Sequence, residues 1–257
     1  RLFTVVAALL VALLICPASY AEETESTYPI FRFKLEFGPI FFTKNELTSP
    51  SSSGTTFDVT DGFDTDPAMY GRVKFEVSLA KRHTLSFWFS PTEFRRSGSF
   101  SQPVSFKGQT YAPGVKTDYQ YRYNDLLFGY SYGLIVSDPW DFSPGVGVLA
   151  SDIKVTLSQT GGPTETIDEW QVLPIINLPL GYTISPKWKV FVDLFGGATD
   201  SDNWAIGGDA MVRYTINSLW DITGGYVGLA QDFESAELKN SAVSHSIVLS
   251  VGYSFWR

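Results

Sequence analysis

Hydrophobic and polar residues alternate with a period of two along several segments of the chain. The longest such segment is Ala242–Arg257, where the odd positions from Val243 to Phe255 are apolar or aromatic apart from His245, and the even positions are mostly Ser or Gly. Successive side chains of a β-strand point to opposite faces, so this alternation predicts a strand with one apolar face. A tilted strand of this length also suffices to cross the hydrocarbon region of a bilayer.

Two segments further upstream each have one apolar face and one charged face. They are Phe31–Phe37 and Tyr70–Arg82, and their polar positions carry Arg32, Lys34, Glu36, Arg72, Lys74 and Glu76. A water-soluble sheet shows the same alternation when its charged face meets solvent. The lengths of the connections and the positions of the tryptophans therefore have to distinguish a soluble sheet from a membrane barrel.

Further strand-like segments follow along the rest of the chain. Their approximate bounds are Thr84–Phe94, Tyr119–Val136, Phe142–Ser158, Ile167–Tyr182, Trp188–Gly196, Trp204–Ile216 and Leu219–Gln231. With the three segments above they make about ten strands, an even number as in single-chain bacterial barrels, and about eight or twelve are the alternatives.

The connections between these segments alternate between short and long. Short connections lie near residues 81–83, 137–141, 185–187 and 217–218, and longer ones near 43–68, 95–117, 159–166, 197–203 and 232–241. Outer-membrane barrels combine short periplasmic turns with longer extracellular loops, and a periplasmic N-terminus places every connection on the expected side. The sequence therefore predicts an all-β fold, an antiparallel up-and-down transmembrane β-barrel formed by residues 22–257.

The tryptophans follow the same topology. The predicted periplasmic strand ends carry Trp140, Trp188, Trp220 and Trp256, and the predicted outer ends carry Trp170 and Trp204. An amphipathic ring is most stable at the membrane–water boundary, where its body is in apolar surroundings and its N–H is hydrated. This sorting favours a membrane barrel over a soluble sandwich.

Residues 1–21 have the features of a secretory signal peptide. An apolar segment follows the basic first residue and ends at Pro17, and small residues lead to a predicted cleavage site after Ala21. Lipid attachment to Cys16 is the alternative, but bulky Ile15 stands where lipoprotein processing requires a small residue. Because Cys16 is the single cysteine, a disulfide framework is excluded, and the net charge of −8 gives no reason to expect a nucleic-acid partner.

Over residues 22–257 the chain resembles the small outer-membrane β-barrel proteins of Gram-negative bacteria. The resemblance rests on the signal peptide, the alternating strands and the final Val251-Gly252-Tyr253-Ser254-Phe255, which is similar to the C-terminal insertion signal of that superfamily. That signal usually ends on an aromatic residue, whereas here Trp256 and Arg257 follow. The resemblance implies location in the outer membrane, contact with membrane lipid and lipopolysaccharide, and recognition of the last strand by the assembly machinery. It indicates no functional subfamily.

The interior of such a barrel carries charges of both signs. The predicted lumen-lining charged residues are Arg32, Lys34, Glu36, Arg72, Lys74, Glu76, Lys189, Asp193, Asp209, Arg213 and Asp221, with Asp125 and Glu169 on the same faces. A lumen enclosed by about ten strands is narrow, and opposite charges confined there pair with each other. We therefore predict a charge-plugged lumen and a structural or surface role. The alternatives are a narrow porin-like conduit for small or hydrophobic solutes and a soluble periplasmic β-barrel binding protein.

The predicted topology does not bring together the residues that enzyme chemistry needs. Beyond residue 21 the histidines are His83, in a basic turn, and His245, whose neighbours Ser244 and Ser246 point to the opposite face. A nucleophile–base pair of the kind that lipid-cleaving barrels need is therefore not expected. The sequence predicts neither an enzyme nor a cofactor.

The first long loop is rich in carboxylates. Asp58, Asp61, Asp64 and Asp66 are oxygen ligands of the type that Ca²⁺ prefers, but their spacing is not that of an EF-hand loop. The surrounding Ser, Thr and Gly residues favour a solvated loop, and a cation site is the alternative.

Two further features concern the predicted outer end. The alternating Tyr119, Tyr121 and Tyr123 predict an aromatic ladder at the outer membrane boundary, where tyrosine is enriched, and a contact surface for sugar or a partner is the alternative. Gly and Pro residues within Arg95–Thr117 separate alternating apolar positions, which predicts a hairpin standing above the membrane.

Overall fold

The computed structural model describes residues 28–256, so the predicted signal peptide and its cleavage site lie outside the described residues. Fifteen strands occupy this range: β1 (Ile30–Thr48), β2 (Phe57–Asp58), β3 (Ala68–Ala80), β4 (His83–Gly98), β5 (Val104–Phe106), β6 (Gln109–Tyr111), β7 (Thr117–Tyr132), β8 (Ile135–Ser137), β9 (Trp140–Phe142), β10 (Gly145–Gln159), β11 (Thr164–Ser185), β12 (Trp188–Ala198), β13 (Trp204–Thr215), β14 (Trp220–Glu234) and β15 (Lys239–Trp256). In this part of the chain no helix has the length and apolarity needed to cross a membrane.

The ten long strands form one closed antiparallel sheet. In chain order β1, β3, β4, β7 and β10 to β15 each pair with the next, and β15 returns to pair with β1. The closing register places Phe33 opposite Tyr253 and Phe37 opposite Leu249. The predicted up-and-down barrel of ten strands is thereby confirmed. Closure gives each of the ten long strands a partner on both sides, which is the arrangement that a lipid environment requires.

The two faces of the wall differ sharply in polarity. The outer face exposes large apolar side chains, for example 42% of Phe33 and 46% of Leu249. Lys34, next to Phe33 on β1, and Arg72 on β3 point inward and are only 5% and 3% exposed. A water-soluble barrel would place charged side chains outside and apolar ones inside, because monomeric soluble proteins rarely expose a large contiguous apolar surface.

The two ends of the barrel also differ. At the end with the short turns, three exposed tryptophans each pack against a tyrosine: Trp140 with Tyr182, Trp188 with Tyr214, and Trp220 with Tyr253, at ring distances of 4.7, 4.9 and 4.7 Å. Such an aromatic girdle is typical of a membrane boundary. The long loops all lie at the other end, where Trp170 is exposed.

Some predicted strands differ from the observed ones at their ends; the segment predicted as Phe31–Phe37, for example, continues to Thr48 as β1. The segment predicted as Tyr119–Val136 stops at Tyr132, and the chain then forms the small β8–β9 hairpin before β10 begins. The Gly133 amide still continues the pairing with the β4 side by donating to the Arg82 carbonyl, but the Leu134 amide donates to the Phe142 carbonyl of β9, and Pro144 has no amide to offer. The connection is therefore a folded hairpin, in which β9 takes over the pairing with β11 where β10 ends.

On one side the wall rises above the apolar band. There the outward positions of β4, β7, β10 and β11 become polar, with these residues: Glu93, Arg95, Gln120, Arg122, Asp152, Lys154 and Asp168. Arg122 Nη2 lies 2.9 Å from Asp152 Oδ1 and 3.4 Å from Asp168 Oδ2. The change from apolar to ionic side chains along each strand marks the upper limit of the lipid-facing surface.

An arginine on the outer face should reveal where the lipid lies. We expect Leu249→Arg to lower the free energy of unfolding by about 2–4 kcal/mol, because the charge enters the hydrocarbon region. The matched control is Gln120→Arg, above the band, which keeps a donor toward Glu93 and should change stability by less than about 0.5 kcal/mol. Reversible denaturant titration in phospholipid vesicles measures both. Equal effects would contradict the membrane assignment.

Candidate functional site

The interior nearer the short turns is filled by ion pairs centred on Arg72. Its guanidinium donates to Glu36 Oε2 at 2.7 Å through Nε and to Asp209 Oδ2 at 2.5 Å through Nη2. Lys74 Nζ donates to the same Asp209 oxygen at 3.3 Å. Adjacent strands β1 and β3 supply three of these residues, and Asp209 comes from β13 across the lumen. The pairs therefore span the barrel and do not merely line it.

A second group of charges lies closer to the turns. Asp221 accepts a 2.5 Å bond from Arg32 and lies 3.7 Å from Arg213. Lys34 pairs with Glu76 at 3.3 Å. These contacts leave the network nearly neutral, as a narrow interior requires.

All eleven residues predicted to line the lumen lie on interior-facing positions of their strands. Asp193 lies 3.9 Å from Lys74, and Lys189 pairs at 2.5 Å with Asp141. Asp141 was missed because it belongs to the β8–β9 hairpin, where the alternation of the long strands is interrupted. Of the two additional acids, Asp125 accepts from Ser151, and Glu169 lies higher and accepts from Ser235.

The interior nearer the long loops has an apolar filling that the charge pattern did not predict. Residues 49–67 and 99–116 fold down into the mouth of the barrel. They contribute Phe57, Val59, Phe63, Phe100, Val104, Phe106 and Tyr111 to one hydrophobic core with residues of β7 and β10. Phe106 and Tyr111 are fully buried. The predicted hairpin exists as β5–β6, but it packs into the mouth and does not stand above the membrane.

The tyrosine ladder faces the interior, so its predicted place at the outer boundary is wrong. Tyr119, Tyr121 and Tyr123 stack with ring distances of 6.0 and 6.2 Å on the inner face of β7. They share this face with Asp125, and the Tyr121 hydroxyl donates to Asn240 at 2.9 Å. The aromatic rings belong to the apolar core because the loops cover them.

Tyr111 ties the loop hairpin to the wall. Its hydroxyl donates to the Leu157 carbonyl of β10 at 3.2 Å. Burial in the core raises the pKa of Tyr111 to about 12. The hydroxyl therefore keeps its proton, and with it this bond, throughout the physiological pH range.

A small cavity separates the charged and the apolar fillings. It has a volume of about 50 Å³ and is lined by residues that include Tyr70, Trp88, Asp125 and Ser246. This volume holds a few water molecules. The cavity is not part of a wide axial passage, because ion pairs close it on one side and aromatic rings on the other.

The two histidines have structural partners. His245 lies on the outer face between Thr43 Oγ1, at 3.1 Å, and the Tyr226 hydroxyl. His83 Nδ1 lies 2.8 Å from the Tyr130 hydroxyl. These contacts do not form a nucleophile–base pair of the kind that hydrolases use.

The acidic loop uses one of its carboxylates to shape a turn. Asp58 Oδ1 accepts from the amide and hydroxyl of Thr60 at 2.8 and 2.7 Å, and from the Asn45 amide at 3.2 Å. Between residues 28 and 256 no group of three His, Cys, Asp or Glu side chains is placed to hold a metal ion.

Comparison with solved structures identifies the architecture. The outer-membrane protease OmpT of Escherichia coli superposes with a TM-score of 0.59 over 91% of this chain and 99% of that chain, at 9% identity. The fold is that of an outer-membrane β-barrel. The translocator domain of the autotransporter NalP from Neisseria meningitidis is also similar (TM-score 0.46, 11% identity, 97% and 96% coverage), as is the toluene transporter TodX of Pseudomonas putida (0.38, 10%, 88% and 90%).

Sequence comparisons add no family to this result. No protein-family model matches the chain, and comparison with functionally curated proteins gave no match. At these identities the structural likeness shows the fold alone, so function has to be argued from the interior.

Removing the central cation should leave buried carboxylates without compensation. We expect Arg72→Met to lower the free energy of unfolding by about 3–5 kcal/mol. The triple variant Arg72→Met/Glu36→Gln/Asp209→Asn should recover part of this loss, because the uncompensated charges are removed as well. Lys44→Met is the control: Lys44 pairs with Glu46 at the surface, where about 1 kcal/mol or less is expected. A loss for Arg72→Met no larger than the control's would contradict the network.

The apolar core should protect the loop hairpin from protease. We expect Phe106→Ala to expose the bond after Lys107 and to accelerate trypsin cleavage there by at least about tenfold, because a large cavity weakens the core. Gln109→Ala alters an exposed position of the same hairpin and should leave the rate unchanged. Cleavage of the folded, detergent-solubilised protein is followed by mass spectrometry. Equal rates for both variants would show that the hairpin is not anchored by Phe106.

Proposed function

We propose that the protein is an integral outer-membrane barrel with a sealed lumen, which acts as a structural or surface protein and not as an enzyme. The observation that carries this proposal is the pair of fillings stacked in the interior. Ion pairs around Arg72 occupy the part near the short turns, and the loop-derived core around Phe106 occupies the part near the long loops. A sealed barrel contributes its outer wall and its loop surface to function, not a pore.

An axial conduit, the first alternative, would have to pass both fillings. The ion pairs join opposite walls, as Arg72 and Asp209 do, and breaking them within a narrow interior is costly. The upper core would have to open against the burial of several aromatic rings. Both features favour a sealed barrel.

A soluble periplasmic binding protein, the second alternative, is opposed by the outer face. Exposed apolar side chains such as Phe37, Ile176 and Leu194 surround the barrel, and the girdle tryptophans border them. This surface supports location in the outer membrane.

The loop surface supports a role in contacts outside the cell. Backbone bonds join the long loops to one another: Lys107 donates to Ser49 at 3.0 Å, Thr55 to Ser105 at 3.0 Å, and Ser51 to Ala236 at 3.3 Å. Loops tied together in this way form a rigid cap, which favours a preorganised contact surface over a mobile lid.

Lipid partners follow from the outer wall. Arg122 and Lys154 lie just above the apolar band, where the polar head groups of lipopolysaccharide would meet the barrel. Strand β15 closes the barrel by pairing with β1 and carries the Val251–Phe255 motif, so it is the segment proposed to be recognised by the assembly machinery.

Planar-bilayer recording tests the proposed seal. The detergent-extracted, folded protein should insert and give no steady conductance in concentrated KCl, because no continuous aqueous path crosses the two fillings. Insertion is verified independently by the altered gel mobility of the unboiled protein. Steady single-channel conductance would favour the conduit, and recovery of the protein from cells without detergent would favour the soluble binder.

A further inference from the structure

The barrel wall is interrupted between β3 and β4. Their backbone pairing runs from the turn up to Val73 opposite Phe89 and, in the described structure, goes no further, although β3 continues to Ala68 and β4 to Gly98. By contrast, β4 pairs with its other neighbour β7 without a break from His83 to Gly98. On β4, residues Ser90 to Arg96 are therefore paired with β7 on one side and have no backbone pairing with β3 on the other.

The interruption is a window, because the wall closes again above it. The segment that precedes β3 returns to β4, where the Asp64 amide donates to the Ser97 carbonyl at 3.1 Å. Two side chains bridge the space between: Ser90 Oγ donates to the Gly71 carbonyl at 3.0 Å, and Arg96 Nη2 donates to the Asp66 carbonyl at 2.8 Å. Pro91 contributes to the interruption because it has no amide for the ladder.

The window adjoins the interior cavity. Two residues from each edge, Tyr70 and Arg72 on β3 and Ser90 and Thr92 on β4, line the cavity of about 50 Å³. Aromatic rings stand behind the opening: Phe42 lies 5.1 Å from Phe94, and Phe94 lies 5.5 Å from Tyr121. The cavity is thus closed along the barrel axis but lies directly behind the gap in the wall.

The outer rim of the window is apolar. Met69 is 69% exposed, and Gly71 and Pro91 complete the rim up to the first outward charge, Glu93. The window therefore lies at the upper edge of the apolar band, level with the outer leaflet. Unpaired backbone at this depth is tolerated where it lines a cavity or is covered.

We propose that the window is a lateral opening through which a hydrocarbon group in the outer leaflet reaches the interior cavity. The chemistry of the path favours an uncharged occupant, because Met69, Pro91 and the rings of Phe42, Phe94 and Tyr121 offer dispersion contacts. Besides tyrosines, two ionisable side chains line the cavity: Arg72 is neutralised by two carboxylates, and Asp125 accepts a hydrogen bond from Ser151.

The bound group is narrow. An apolar cavity of about 150 Å³ accepts a benzene ring, whereas this one measures about 50 Å³. The cavity therefore takes the tip of the group, and the rest lies in the window between β3 and β4. Both the end of a lipid acyl chain and a small free hydrocarbon have this chemistry. The site requires no axial pore, so it stands whether or not the conductance measurement supports a sealed lumen.

Cysteine labelling tests the opening, because the single native cysteine lies at position 16, within the predicted signal peptide. Thr92→Cys places a thiol at the window, and Ser250→Cys places one on an interior position that is also buried, 1% exposed against 5% for Thr92, and whose strand is paired on both sides. In detergent micelles, N-ethylmaleimide should modify Thr92→Cys at least about tenfold faster than Ser250→Cys. A positively charged thiosulfonate should show no such preference, because it does not enter the apolar path.

Competition identifies the source of the hydrocarbon. Slower modification of Thr92→Cys after addition of n-hexane, a narrow hydrocarbon, indicates a free hydrocarbon, and slower modification only after transfer to phosphatidylcholine vesicles indicates an acyl chain. The Ser250→Cys rate should respond to neither. Ser90→Cys provides a second probe on the same edge, and unboiled gel mobility confirms that each variant is folded. Equal rates for the window and control thiols, or a window rate that neither hydrocarbon slows, would overturn the proposal.

Discussion

The rest of the structure depends on one constraint: backbone amides and carbonyls in the hydrocarbon region must bond to each other, because lipid offers no partners. The chain meets it by returning β15 to β1, so that Leu249 and Phe37 lie side by side on the outer surface. In a closed wall, successive side chains along each strand face the lipid and the lumen in turn. The window between β3 and β4 is informative because it departs from this rule where a cavity lies behind the wall.

Closure also determines how the interior charges find partners. The register sets Lys34 directly opposite Lys74 on neighbouring strands, and Asp193 directly opposite Asp209. Each pair of like charges would be destabilising by itself. Across the lumen, however, Lys74 lies 3.3 Å from Asp209 and 3.9 Å from Asp193. The repulsion along each wall is thus offset by attraction between walls, which ties the barrel's cross-section together.

The sequence predicted the wall well and the upper interior poorly. The period of two around Leu249 and Arg72 was sufficient because one face was wholly apolar and the other charged. Tyr119 and its neighbours were misplaced because their face combines aromatic rings with Asp125, and polarity alone does not orient such a face. The burial of Phe106 in the mouth of the barrel depends on tertiary contacts of a long loop, which no local pattern encodes. The ion pairs were foreseen as a set, but their partners depend on a barrel register that sequence does not show.

Depth-dependent quenching along β15 tests the central claim most directly. A fluorophore is attached to single cysteines placed in turn from Ile247 to Gly252, and quenching by brominated phospholipid is compared with quenching by aqueous iodide. We predict strong lipid quenching at the odd positions and weak quenching by either agent at the even positions, because these face the filled lumen. Lipid quenching at the even positions, or iodide quenching at all six, would contradict a closed barrel with hydrocarbon outside and charges within.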